Sequence, residues 1–154
     1  MEVGEIKKTL ERNGKKILAG ILGFFLGADK TSPEAIRERE IRNLLVIRQQ
    51  NQMGDMLLAV PALRGIRHRF PEAQISFIAA TINAEVVRNN PFIDELIVYS
   101  KKKYLKNPIS LLKLILGLRR KKFDLVIVLN TVSFSVTSML LAVASGASIR
   151  AGVT

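Results

Sequence analysis

The sequence predicts an α/β domain built on a Rossmann-like parallel sheet, and three observations predict it. Leu44-Leu45-Val46-Ile47 is a short continuous apolar run, as expected of a strand buried on both faces, and Gln74 to Ala79, Glu95 to Tyr99 and Leu125 to Leu129 read as further strands. Segments with helix start and stop signals separate them: Pro71-Glu72, Asn90-Pro91, Pro108 and Gly146. Strand and helix thus alternate four times, an order that produces parallel strands joined by right-handed crossovers.

Taken in order, residues 1–40 form a basic leader and connector, and residues 41–154 form the domain. In the leader, Ile6, Leu10, Ile17, Ile21 and Phe24 fall near helical spacing with Lys7, Lys8, Arg12, Lys15 and Lys16 between them. Such an amphipathic helix can lie among lipid headgroups, with Lys7, Lys8, Lys15, Lys16, Phe24 and Phe25 at the membrane surface. The alternative is a helix packed on the domain or on a partner. The apolar run Ile17 to Gly27 is about half the ~20 residues a spanning helix needs, and Phe25-Leu26 is a poor signal-peptide cleavage site. Thr31-Ser32-Pro33-Glu34 then offers a cap and a first-turn proline for a charged connector.

After the first strand comes a polar loop from Arg48 to Met53, and Gly54-Asp55 opens a helix to Phe70 in which Pro61 should cause a kink or a break. Ala84 to Asn89 is a short helix, Lys101 to Lys106 a basic loop, and Pro108 starts a helix with Leu111, Leu112, Ile115 and Leu118 apolar. Ser135 to Ala144 is a last helix, and Ile149 to Val153 begins a fifth strand with no helix after it. The chain therefore reads as a fragment or a truncated product.

Composition narrows the function. The 154 residues are 48% hydrophobic, enough for a core. Lys and Arg number 24 against 13 acids, a net charge of +11, which suits an anionic membrane surface or a phosphorylated ligand. The absence of cysteine excludes disulfides, thiolate catalysis and Cys-bound zinc. The single histidine, His68, reads as a surface or packing residue. There is no Trp and no recognition helix, and the basic residues are dispersed, so nucleic acid is not an expected partner. Lys101-Lys102-Lys103 and Arg119-Arg120-Lys121-Lys122 read as solvated charge, or as lipid contacts at about 1 kcal/mol per charge.

Ligands of parallel sheets bind beyond the carboxyl ends of the strands. That selects the loops Arg48 to Asp55, Ala80 to Asn83 and Asn130 to Phe134. Gly54 lets the backbone turn tightly or approach a ligand. Asp55, at a helix start, is favoured as an anion. It can cap the helix, the commoner role of Asp there, or act as a general base on a substrate hydroxyl. Asn51, Gln52, Met53 and Gly54 in the same loop, Arg64 on the helix, and Asn130 and Thr131 after the fourth strand are candidate binding residues. Neither G-x-G-x-x-G nor a Walker A motif is present.

The stretch Gly54-Asp55-Met56-Leu57-Leu58-Ala59-Val60-Pro61-Ala62-Leu63-Arg64 resembles the opening of the bacterial heptosyltransferases of lipopolysaccharide core synthesis, glycosyltransferase family 9. The resemblance continues through Arg69-Phe70-Pro71-Glu72-Ala73, Asn90-Pro91-Phe92-Ile93-Asp94-Glu95 and Phe123-Asp124-Leu125-Val126-Ile127, and covers about Ile41 to Thr154. It implies the N-terminal half of a GT-B fold. In that architecture this half holds a lipid-linked saccharide acceptor at the cytoplasmic face of the inner membrane. A second domain, beyond this sequence, holds a nucleotide-sugar of the ADP-heptose type. No metal and no other cofactor is implied. Asp55 becomes the base of an inverting transfer, and Asn51, Gln52, Met53, Gly54, Arg64, Asn130 and Thr131 become acceptor contacts. Two departures fall on the acceptor side: the polar loop Gln49 to Met53, and Val128 and Asn130 where many members carry Asp and Gln. A non-catalytic α/β module that docks on membranes or on a partner is the alternative.

Overall fold

The computed structural model describes residues 36, 39–49, 53–129 and 135–152, omitting the side chains of 53–55 and 105. The leader helix expected over the first 30 residues, nearly all of the connector after it, and the loops containing Asn51, Gln52, Asn130 and Thr131 lie outside the described residues.

The elements are β1 (Asn43–Arg48), α1 (Met53–Arg69), β2 (Gln74–Ala80), a 3₁₀ turn (Thr81–Asn83) running into α2 (Ala84–Val87), β3 (Glu95–Tyr99), α3 (Lys101–Lys106), α4 (Pro108–Arg120), β4 (Leu125–Val128), α5 (Val136–Ala144) and β5 (Ile149–Ala151). The five strands form one sheet in the order β3-β2-β1-β4-β5, and every pairing is parallel. This is the expected Rossmann-like α/β layer.

β1 is central, pairing Leu44 with Ile75 on one side and with Leu125 on the other. Its side chains alternate between two cores. Leu44 and Val46 pack with Met56, Ala59, Leu63, Phe77 and Val87 on the α1–α2 side. Leu45 and Ile47 pack with Leu118, Phe123, Leu141 and Ala142 on the α4–α5 side. Helices on both faces explain the unbroken apolar run of β1.

Two sequence expectations change. Pro61 does not split its helix: α1 runs uninterrupted from Met53 to Arg69. The carbonyl deprived of a donor belongs to Leu57, and both Leu57 and Pro61 are exposed, so water can satisfy that group. Lys101 to Lys106 is helical, not a loop. The Ser100 hydroxyl caps it by accepting from the Lys103 amide at 3.4 Å, and Tyr104 stacks on Tyr99 at 5.0 Å. Asn107 ends α3 and caps α4, its side chain accepting from the Ser110 amide at 3.1 Å.

Carboxylates organise the amino edge of the sheet. Asp124 accepts from the Arg42 and Asn43 amides, each at 2.9 Å, tying the start of β4 to that of β1. Asp94 accepts from the Ile75 amide at 2.7 Å and from Arg67 at 2.6 Å. Arg67 also donates to the Pro71 and Ala73 carbonyls, joining the end of α1 to β2 and β3. Glu95 accepts from Ser76 at 2.7 Å and from Lys121 at 2.5 Å.

Candidate functional site

The strand order reverses at β1: β2 and β3 lie on one side of it, β4 and β5 on the other. The loops that leave the carboxyl ends of β1 and β4 therefore diverge, and a ligand crevice opens between them. Arg48, the last residue of β1, is buried at 3% exposure, and its guanidinium donates to the Leu129 carbonyl at 2.9 Å. It clamps the two strand ends together beneath that crevice.

A cleft of about 790 Å³ lies at this carboxyl edge. Gln49 follows β1, Ala80, Thr81 and Ile82 end β2, and Tyr99 and Ser100 end β3. Lys101 and Lys102 come from the first turn of α3, and Ser135 and Thr137 from the start of α5. Its size suits a small ligand or a few sugar rings.

Polar groups are set in the walls among a larger apolar surface. The Gln49 amide nitrogen is buried and, among the described residues, has no hydrogen-bond acceptor. The Thr81 hydroxyl donates to the Tyr99 carbonyl at 3.4 Å, holding the ends of β2 and β3 together. Ser135 caps α5, accepting from the Ser138 amide at 3.3 Å. Burial, with a smaller contribution from Tyr104, raises the Tyr99 phenol above its ordinary pKa. It therefore remains a neutral hydrogen-bonding group. Lys101 and Lys102 are exposed and supply positive charge at the rim.

Asp55 is the third residue of α1, in the helix that follows β1. It thus belongs to the first turn, where the free amides of the helix favour an anion, while the helix itself starts one residue before Gly54. The side chains of Met53 and Asp55 lie outside the described residues. Arg64 stands exposed nine positions after Asp55, about 13 Å along the axis, and does not line the cleft. Glu85, the acid that follows the end of β2, is engaged with Arg88.

The sequence reading found the loops after β1, β2 and β4. It does not select the wall from β3, namely Tyr99, Ser100, Lys101 and Lys102, because the lysine run reads as solvated charge or as a lipid contact. The signal was available, since β3 is also a parallel strand and its carboxyl end must open on the same edge.

No family model and no curated protein matches the chain. Solved structures do, and two of them are glycosyltransferases. A family 9 glycosyltransferase from Veillonella parvula DSM 2008 is 28% identical, with a TM-score of 0.63 over 73% of this chain. The chain resembles the family 9 glycosyltransferases. ADP-heptose lipopolysaccharide heptosyltransferase II of E. coli shares the fold, with 23% identity and a TM-score of 0.54 over 71% of this chain. The chain spans about a third of the length of these structures, 32% and 30%. The domain is thus glycosyltransferase-like in fold. Among its described residues no helix is long and apolar enough to cross a membrane.

Proposed function

We propose that this chain is the acceptor-side domain of an inverting glycosyltransferase. Its acceptor is a lipid-linked saccharide of the lipopolysaccharide-core type, and its donor is a nucleotide-sugar of the ADP-heptose type held by a second domain facing the cleft. The observation that carries the reading is the cleft at the carboxyl edge of the sheet, lined by Gln49 from the segment between β1 and α1 and by the ends of β2 and β3, in a fold shared with a family 9 enzyme.

The chemistry needs few groups. The Asp55 carboxylate takes the proton of the acceptor hydroxyl. The freed oxygen attacks the anomeric carbon, the bond to the nucleotide diphosphate breaks with its electron pair, and the configuration inverts. Lys101 and Lys102 complement a phosphate or carboxylate on the acceptor. Gln49, Thr81, Tyr99 and Thr137 offer polar groups to sugar hydroxyls, and Asn51, Gln52, Met53, Gly54, Asn130 and Thr131 are the further acceptor contacts that the family resemblance implies.

The test has two arms. Titration of the labelled chain with a phosphorylated core oligosaccharide should shift the amides of Gln49, Thr81 and Tyr99, and K101A/K102A should weaken the effect. In a polypeptide that also carries the donor domain, Asp55→Asn should lower kcat by about 10²–10⁴-fold without changing the melting temperature. Undiminished turnover by that variant would remove Asp55 as the base. Amide shifts confined to other faces would remove the cleft as the acceptor site.

A further inference from the structure

We infer that the α3–α4 segment carries a second surface, adjoining the cleft at Lys101 and Lys102, built to dock flat on an anionic lipid bilayer. Residues 101–122 contain nine Lys and Arg and no acid. Nine of the eleven net positive charges of the chain thus sit in this one stretch. Among the described residues, only Lys121 of the nine is ion-paired, to Glu95.

Charge alone would make a solvated face. The apolar residues decide otherwise. α4 already has an inward face: Leu118 is fully buried, and Leu114 packs with it against the second core. Yet Ile109, Leu112 and Leu116 remain 65%, 55% and 47% exposed. Their i, i+3, i+7 spacing places them in one stripe on the side away from the core. Lys113, Arg119 and Arg120 are exposed on the same helix, and Lys101, Lys102, Lys103 and Lys106 are exposed on α3 just before it.

A helix that buries one apolar face and shows water a second one, framed by cations, has the composition of an interfacial helix. The bilayer surface fits both halves of the pattern, with headgroup phosphates for the cations and the acyl boundary for the three aliphatic side chains. A nucleic acid would match only the charge, and a second copy of this chain would bring nine like charges against nine. Docking here also sets the Lys101–Lys102 rim of the cleft beside the membrane, although it stands whether or not a sugar is transferred.

The experiment is co-sedimentation of the whole 154-residue chain with vesicles of phosphatidylcholine, alone or equimolar with phosphatidylglycerol. Binding is expected to the mixed vesicles, falling as salt rises. Leu112→Gln with Leu116→Gln removes the stripe at constant charge and should weaken it by at least about tenfold. Lys113→Gln with Arg120→Gln should cost about fivefold per charge. All four positions are solvent-facing, and unchanged melting temperatures would confirm that each variant folds. Phe24→Ser with Phe25→Ser, in the leader, should leave the leucine effect in place. The idea fails if the leucine variant binds mixed vesicles like the parent chain. It also fails if the leucines alter only self-association in light scattering, or if RNA binding is tight while neither vesicle binds.

Discussion

A methyl group would do opposite things at Gly65 and at Gly152. Gly65 lies inside α1, and a Cβ built there meets nothing within 4 Å. Gly65→Ala removes backbone freedom from the unfolded chain and should stabilise the domain by about 0.5–1 kcal/mol, seen as a rise in melting temperature. Gly152 follows β5 with φ of +72°, and its Cβ would run into the Val128 carbonyl oxygen. That atom belongs to the backbone of β4 and cannot swing aside. Gly152→Ala should therefore cost about 1–3 kcal/mol, and amide exchange should rise first at the edge strand β5. Equal melting temperatures for the two variants would contradict the assigned φ at Gly152. Both glycines are plain in the sequence, but their difference is not, because only the coordinates supply the sign of φ and the neighbour.

At the scale of elements, β3 is the strand most dependent on charge. It forms one edge of the sheet and is only half-buried, so its two acids carry much of its attachment. Partial burial pushes the Asp94 carboxyl upward, but the Ile75 amide and Arg67 outweigh it and hold the group below the ordinary range. Glu95 is likewise pushed up by burial and drawn further down by Lys121 and Ser76. The sign follows directly. A carboxylate depressed in the folded state contributes stability above its unfolded pKa, about 4, and loses it as pH falls through the folded value. Acidification should thus release β3 before the other strands, and hydrogen exchange at Leu96 and Val98 followed from neutral to acid pH checks it. Asp94→Asn with Glu95→Gln should be weaker at neutral pH and flatter in acid; a slope unchanged from the parent would refute the assignment. Arg67→Ala removes three contacts of a mostly buried cation and should cost about 2 kcal/mol in a denaturant titration.

The same residues explain what could be read from the sequence. Of the four blocks that carry the family resemblance, Gly54 to Arg64 lies in α1, and the other three, Arg69 to Ala73, Asn90 to Glu95 and Phe123 to Ile127, sit at the amino edge. There the Asn90 side chain accepts from the Phe92 amide, Arg67 grips Pro71 and Ala73, and Asp124 holds the entry of β1. They are instructions for folding, so they announced the fold clearly and the chemistry only indirectly. α3 was hidden for a different reason. Its helix of six residues comes from the Ser100 cap and the Tyr99–Tyr104 stack, and neither leaves a periodic apolar trace.

For the molecule as a whole, the decisive feature is that one strand serves two cores. The run from Leu44 to Ile47 predicted a strand covered on both faces, and the structure assigns successive residues to opposite layers. The site shows through the same topology: parallel order fixes which edge is open, and the reversal at β1 fixes where on that edge. Which side chains line the opening depends on loop paths that no period encodes. The two-core arrangement has a measurable consequence. Leu44 and Leu45 are both fully buried neighbours, and truncation of either leaves a cavity, so Leu44→Ala and Leu45→Ala should each cost about 2–5 kcal/mol. A sheet with one wet face would penalise only one of them. Because their cavities open in different layers, the double variant should lose close to the sum. Against a total of about 5–15 kcal/mol, that places the double variant near unfolding at room temperature. Chemical denaturation of the three variants reads this out, and a single substitution that costs under about 0.5 kcal/mol would mean that one layer is missing.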